Sequence, residues 1–278
     1  MPELPEVETL VCDLRPHVVG RKIVDAQVFW PRTIHGLSPD EFRERLIGRR
    51  IATAVRRAKF LVFKLESDER NEAQSVLYLL IHLRMSGQLL FEPLPPTHDS
   101  HIRVVFAFDD GRKLYFRDMR KFGRVYLTSD LATVIGDLGP EPLADDFDCE
   151  ALAALLRGRR GMIKPLLLNQ RLLAGVGNIY ADEALFIAGL DPRRQAQTLM
   201  PEEIARLCAG IRQALQQGIC NRGTTLDDFR DANGCPGNNQ DNLQAPRQAG
   251  RPCSRCGAPI QRIVVGGRGS YFCANCQK

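Results

Sequence analysis

The sequence predicts an α+β protein built from several modules, on three observations. Its first half carries short apolar runs of strand character bounded by turn residues. Its second half changes to helical spacing, and its end holds two Cys-x2-Cys pairs. A chain of 278 residues with 44% hydrophobic content exceeds one ordinary domain and has material for more than one core.

The elements follow in order. Pro5 stands where a helix can start, because its missing N–H would be unpaired there anyway. Val7, Leu10, Val11 and Leu14 continue at helical spacing, and Pro16 and Gly20 end the element. The region from about 22 to 128 is predicted as strands, for example over 22–30, 60–66, 75–83, 102–108 and 113–117, with turns such as Asp109-Asp110-Gly111 between them. This half reads as a β-sandwich with a flanking helix. Helices are predicted over 151–158, 162–169, 178–190 and 202–218. The stretch 232–250, rich in Asn, Gln and Gly, reads as a long loop. The expected division is therefore 1–131, 132–231, a linker at 232–250 and a last module at 251–278.

A net charge of +5 and a pI near 8.8 suit a polyanionic partner without requiring one. Six basic residues and no acid lie between Arg247 and Lys278, and seven basic residues against three aspartates lie between Arg103 and Arg124. Either cluster alone could be a solvated face; both together with a metal module point to nucleic acid. No apolar run approaches the roughly 18 residues of a membrane helix. Glu3, Glu6 and Glu8 make the start of the chain the opposite of a basic signal peptide. A soluble cytoplasmic protein acting at the nucleoid is expected.

Cys253-x2-Cys256, sixteen residues, then Cys273-x2-Cys276 has the spacing of two knuckles completing a tetrahedral thiolate site. Four cysteines leave no open coordination position, so one structural Zn²⁺ is predicted. The residues between them read as a hairpin turning near Gly266-Gly267-Arg268-Gly269. Such a ribbon could touch phosphate or protein. Cys12, Cys149, Cys208, Cys220 and Cys235 follow no ligand spacing. In AGVGNIYADEALF (174–186) a glycine turn opens a helix at Asn178, an arrangement that can bind anions or simply connect helices.

These residues carry a resemblance. PELPEVET at 2–9, RRAK at 56–59, MSG at 85–87, RKFG at 120–123, GVGNIYADEALF at 175–186, GTT at 223–225 and the four-cysteine ribbon are similar, in order, to the formamidopyrimidine-DNA glycosylase family. The resemblance implies an N-terminal β-sandwich with flanking helices, a helix–two-turn–helix domain and a zinc-ribbon hairpin. It also implies a monomer that excises oxidised purines from damaged double-stranded DNA and then cleaves the strand. Pro2, freed by removal of Met1, would be the nucleophile and Glu3 the general acid. Lys59 and Arg268 would serve the two eliminations. Met85, Arg120 and Phe122 would fill the void left by a flipped base, and Asn178, Arg159 and His98 would contact phosphate. The metal ligands would be Cys253, Cys256, Cys273 and Cys276.

Three departures stand out. Arg159 replaces a lysine common in the family. The family's His-x-His pair is widened to His98-Asp99-Ser100-His101, so either histidine could be the contact. The stretch 237–250 lacks the aromatics usual before the ribbon. Two rival readings are an endonuclease VIII-like enzyme for oxidised pyrimidines and a non-catalytic damage-binding zinc protein. Leu4 and the RKF run oppose the first, and joint retention of Pro2, Glu3, Lys59 and Arg268 opposes the second.

Overall fold

The computed structural model describes residues 1–67, 76–91 and 99–278. Packing divides them into two units. One comprises Met1–Asp137 with Asn221–Asn238, the other Leu138–Cys220 with Asn239–Lys278.

In the first unit, α1 (Leu4–Val18) places Leu4, Val7, Leu10, Val11, Leu14 and Val18 wholly out of solvent. Their i, i+3, i+4 spacing is what makes one face of this helix apolar. The helix continues through Pro16 for two residues and gives way to Gly20 at φ +83°. Eight strands follow among the described residues: β1 (Ile23–Val28), β2 (Arg49–Arg57), β3 (Phe60–Ser67), β4 (Leu77–His82), β5 (Gly87–Phe91), β6 (Ile102–Phe108), β7 (Lys113–Asp118) and β8 (Arg124–Thr128). They form two antiparallel four-stranded sheets, ordered β1-β6-β7-β5 and β2-β3-β4-β8. Phe63 and Ile81 of one sheet share a core with Phe106 and Phe116 of the other and with Leu10 of α1. This is the sandwich anticipated from the alternating runs.

Sequence pattern set no bounds for β2, β5 and β8 within the strand region and missed the short helix α2 (Pro39–Leu46). The ends of β2 are arginine pairs that hide its apolar positions Ile51 and Ala54. In α2 only Phe42 and Leu46 are buried, and its start is marked by the Ser38 hydroxyl accepting from the Glu41 amide at 3.2 Å.

Residues 221–238 fall into the first unit, although sequence pattern grouped 221–231 with the helices and 232–238 with a linker. Phe229 and Ala232 lie in the sandwich core, and the Phe91 amide donates to the Ala232 carbonyl at 2.8 Å. Arg222 bridges Asp13 at 2.8 Å and Asp231 at 2.6 Å. The physical reason is that this segment's few apolar side chains are spent on the sandwich.

The second unit holds α4 (Cys149–Leu156), α5 (Ile163–Leu168), α6 (Asn178–Ala188) and α7 (Pro201–Cys220), after a single turn, α3 (Ala132–Ile135), that closes the first unit. The hairpin β9 (Gln261–Val265) and β10 (Arg268–Phe272) completes it. Helices α6 and α7 approach closely because α7 carries glycines at the contact. A Cβ on Gly210 would stand 2.7 Å from the Ala184 carbonyl oxygen, and one on Gly218 would stand 2.5 Å from the Tyr180 ring and hydroxyl. Tyr180 is only 1% exposed and has nowhere to go.

Gly218→Ala gains about 1 kcal/mol of helix propensity but overpacks a full core, which costs about 1–3 kcal/mol. The net expectation is destabilisation, seen as a Tm lowered by a few degrees in thermal unfolding. A raised Tm would show that Tyr180 does not confine this position.

Candidate active site

Pro2 and Glu3 are buried, with Glu3 only 2% exposed. The beginning of the chain is held rather than frayed, and the holder is Glu6. Its Oε2 accepts from the Glu3 amide at 2.8 Å, and its Oε1 accepts from the Thr224 amide at 2.7 Å. The Glu3 bond is the reach-back half of a helix capping box. The Thr224 bond needs Gly223, at φ +81°, where a Cβ would press to 2.9 Å from the Phe229 ring and 3.0 Å from Glu6 Cγ. The family resemblance flagged the GTT run, but Glu6 escaped attention because it reads as one of three acids on a helix start.

Lys59, 5% exposed, sits in the two-residue connection between paired Arg57 and Phe60. Ala58 beside it is left-handed at φ +53°, a strained state for a residue with a Cβ. Arg56 stabilises it, donating to the Ala58 carbonyl at 3.2 Å and pairing with Glu8 of α1 at 2.7 Å. Phe60 pairs in register with His82, and their rings meet edge-on at 4.6 Å. Burial first, then the charges of Arg84 and Lys59, push the His82 imidazole down to about 3. Its Nδ1 accepts from the Arg84 amide at 3.0 Å, which leaves the proton on Nε2 as a donor. His82 was missed in the sequence. The available signal was one polar residue inside the apolar run SVLYLLIHL.

Met85 is 39% and Phe122 48% exposed, and Arg120 Cζ stands 5.3 Å over the Phe122 ring. The Arg103–Arg124 cluster is not one basic face. Arg103 is buried and donates to the Asp118 and Ser100 carbonyls, while Arg112 pairs with Asp110 and Arg117 with Asp99. Lys113, Arg120 and Lys121 are the exposed members. His101 is half-buried and turned to Asp99 at 3.0 Å; His98 lies outside the described residues.

In the second unit, Arg268 is exposed at the start of β10. The residues behind it are fixed by a buried network. Lys164, 0% exposed, stands 2.7 Å from Asp182 and donates to Ser270 Oγ at 2.7 Å and to the Gly269 carbonyl at 3.0 Å. Asp182 accepts from the Tyr271 amide at 3.1 Å, and Asn178 donates to the Gly269 carbonyl at 3.1 Å. Asn178 opens α6 after Gly177 with no side-chain cap, and its Oδ1 is buried without a partner among the described residues. Arg159 is exposed, its Nε donating to the Leu155 carbonyl. Lys164 and Asp182 lie inside motifs read for other reasons; neither residue signals a buried ion pair by itself.

The four cysteines Cys253, Cys256, Cys273 and Cys276 bring their sulfurs within 4.8 Å of one another. The sulfurs of Cys253 and Cys276 stand 3.9 Å apart, and those of Cys256 and Cys273 3.5 Å. A tetrahedron with Zn–S near 2.3 Å has edges of about 3.8 Å, so the donor set fits one zinc ion. The first knuckle's backbone amide of Arg255 points at Cys253 Sγ, 3.4 Å away. Gln277, 2% exposed, ties the second knuckle to the Leu190 carbonyl at 2.7 Å.

The family model described as the formamidopyrimidine-DNA glycosylase N-terminal domain matches residues 1–125, that family's H2TH domain matches 138–230, and a zinc finger found in FPG and IleRS matches 250–278. The chain belongs to the formamidopyrimidine-DNA glycosylase family. A formamidopyrimidine-DNA glycosylase of Herpetosiphon aurantiacus is 46% identical over 100% of both chains. One of Moorella thermoacetica is 47% identical, over 95% of this chain and 94% of its own. Among solved structures, a Lactococcus lactis Fpg mutant in complex with Fapy-dG-containing DNA is similar with a TM-score of 0.90, 35% identity and 100% coverage of both chains. The Lactococcus lactis Fpg complex with abasic-site DNA gives 0.88, 35% and 99%. As a member of this glycosylase family the protein is a base-excision repair enzyme with one structural zinc site.

Two measurements probe the glycosylase framework. Between pH 6.5 and about 3 the unfolded chain takes up a proton that folded His82 refuses, so this group lowers stability as pH falls. By about pH 5 the difference amounts to roughly 2 kcal/mol. Denaturant unfolding of wild type and His82→Gln should therefore show the variant gaining on the wild type as pH drops from about 7 to 5. Parallel curves would remove the buried neutral histidine. Separately, Lys164→Met strands Asp182 without its counter-charge and should cost about 3–5 kcal/mol, most of it regained in Lys164→Met/Asp182→Leu. A single variant as stable as wild type would contradict the buried pair.

Proposed function

We propose that the enzyme removes oxidised purines, formamidopyrimidines and 8-oxoguanine, from double-stranded DNA and then cleaves the abasic strand by β,δ-elimination through a Schiff base on Pro2. The observation that carries this reading is the built-in beginning of the chain: Pro2 and Glu3 are buried and the Glu3 amide is bonded to Glu6. A group held in one place costs no ordering when it reacts.

The chemistry follows from the residue types. Loss of Met1 turns the Pro2 nitrogen from an amide into a secondary amine, whose reference pKa near 8 leaves a useful fraction unprotonated at neutral pH. Attack on C1′ breaks the glycosidic bond, and the base departs with the proton that the Pro2 nitrogen gives up. Glu3 gives its proton to the sugar ring oxygen as the ring opens, which leaves an iminium that acidifies C2′. Loss of that proton expels the 3′ phosphate with Lys59 taking part. A second elimination, with Arg268 taking part, expels the 5′ phosphate and leaves a gap bounded by phosphates. The Schiff base is then hydrolysed to free the amine.

Phosphate contacts are assigned to Asn178 and Arg159, with His98 or His101 as a third. Met85, Arg120 and Phe122 are assigned to the space vacated by the flipped nucleotide. A Lactococcus lactis Fpg complex with DNA containing an oxidised pyrimidine supports some tolerance for pyrimidine lesions as a second reading.

Borohydride trapping on an 8-oxoguanine duplex is the test. Trapping should be strong in the processed enzyme, weakened in Pro2→Gly and absent when Met1 is retained. Full trapping by a chain that keeps Met1 would rule out Pro2 as the nucleophile, and faster trapping on thymine-glycol duplexes would favour the pyrimidine reading.

A further inference from the structure

Asp118 plays no part in the chemistry above, yet it is a carboxylate only 1% exposed. It ends β7 opposite Gly87 of β5. Its Oδ1 accepts from the Ser86 hydroxyl at 2.6 Å and from the Arg120 amide at 3.2 Å, and its Oδ2 accepts from the Gly123 amide at 2.7 Å. The Arg120 amide is shared with Ser86 Oγ at 3.3 Å. One side chain thus joins the turn that carries Met85 to the turn that carries Arg120 and Phe122.

Both turns are sharply bent. Arg84 and Lys121 adopt left-handed backbone at φ +55° and +60°, unfavourable for residues with a Cβ. Each turn also needs a glycine: a Cβ at Gly87 would lie 2.5 Å from the Leu83 carbonyl oxygen, and one at Gly123 would lie 2.3 Å from the Phe116 ring. What these strained turns present is Met85 and Phe122, both apolar and both well exposed. Core packing does not explain that arrangement, because the side chains that would profit from burial are the ones left outside.

We propose that Asp118 is a positioning residue that locks the two turns into one rigid wedge, so that Met85, Arg120 and Phe122 enter the duplex as a single body. This rests on the assignment of those three residues to the vacated space. A wedge offsets the unstacking of a base only if its own loops do not yield, and loops ordered beforehand lose no freedom on insertion. Aspartate suits the task because both oxygens must accept. An asparagine would turn an N–H against the amide N–H of Arg120 or of Gly123 and break the joint on one side.

The experiment compares single-turnover rates on a duplex carrying 8-oxoguanine and on the same duplex carrying a preformed abasic site, which has no base to extrude. The ratio of the two rates is the readout, since a general loss of folding or affinity lowers both. Asp118→Asn should reduce that ratio about tenfold or more, and Ser86→Ala by a few-fold, as expected from the loss of charge-assisted hydrogen bonds. Met85→Ala and Phe122→Ala should be strongly non-additive in the wild type and additive in the Asp118→Asn background. If Phe122→Ala lowers the ratio while Asp118→Asn and Ser86→Ala leave it unchanged, the lock is overturned and the wedge stands. If Phe122→Ala itself leaves the ratio unchanged, the wedge assignment falls and the lock with it. Should Asp118→Asn fail to fold, Ser86→Ala, which keeps the carboxylate and two of its bonds, decides the matter.

Discussion

The Glu6 carboxylate accepts from the Glu3 amide at one oxygen and, from 218 residues further along the chain, the Thr224 amide at the other. At 1% exposure such a charge is tolerated only with good donors, and these two amides are among them. The consequence spreads outward. Glu6 lies in the first turn of α1, where the helix dipole favours an anion, so the same bond that satisfies the carboxylate sets where the helix begins. The apolar face of α1 then seats on the sandwich, and Phe229 and Ala232 of the returning segment fill the same core. The buried position of Pro2 follows from all of this.

The same device recurs elsewhere in the chain. Arg268 is followed by Gly269 and Ser270, which the buried Lys164 holds. Lys59 follows Ala58, whose carbonyl is held by Arg56. Glu183, which burial pushes up to about 7 against the pull of its donors, accepts from the Gln244 and Ala245 amides and so tethers the stretch leading into the zinc module. The polar groups that hold these segments are kept from water, and away from water a hydrogen bond is worth more and an error costs more.

Much of this was legible in the chain. The apolar spacing of α1, the strand runs at 60–66, 102–108 and 113–117 and the cysteine pairs are local signals, and the structure reproduces them closely. What escaped is nonlocal. No pattern in 221–238 says that it packs on a sandwich built a hundred residues earlier, because its few apolar residues make sense only beside that core. The seven basic residues between Arg103 and Arg124 looked alike, and only tertiary partners separate the buried Arg103 from the exposed Arg120. Glu6, Asp118 and Asp182 were invisible for the same reason: an acid in a sequence carries no mark of the amides it will meet.

The discontinuous first unit has a consequence for biosynthesis. A ribosome adding roughly 5–20 residues per second makes Pro2 at once but needs about 12–48 seconds to reach residue 238, where the unit becomes complete. During that interval the Glu6 carboxylate has no Thr224 to close upon, and the beginning of the nascent chain is accessible to a methionine aminopeptidase. Once the returning segment docks, Pro2 is buried and Met1 is left half-exposed at 50%. If the Pro2 nitrogen is the nucleophile proposed above, Met1 is removed most readily in this interval, before the returning segment has docked.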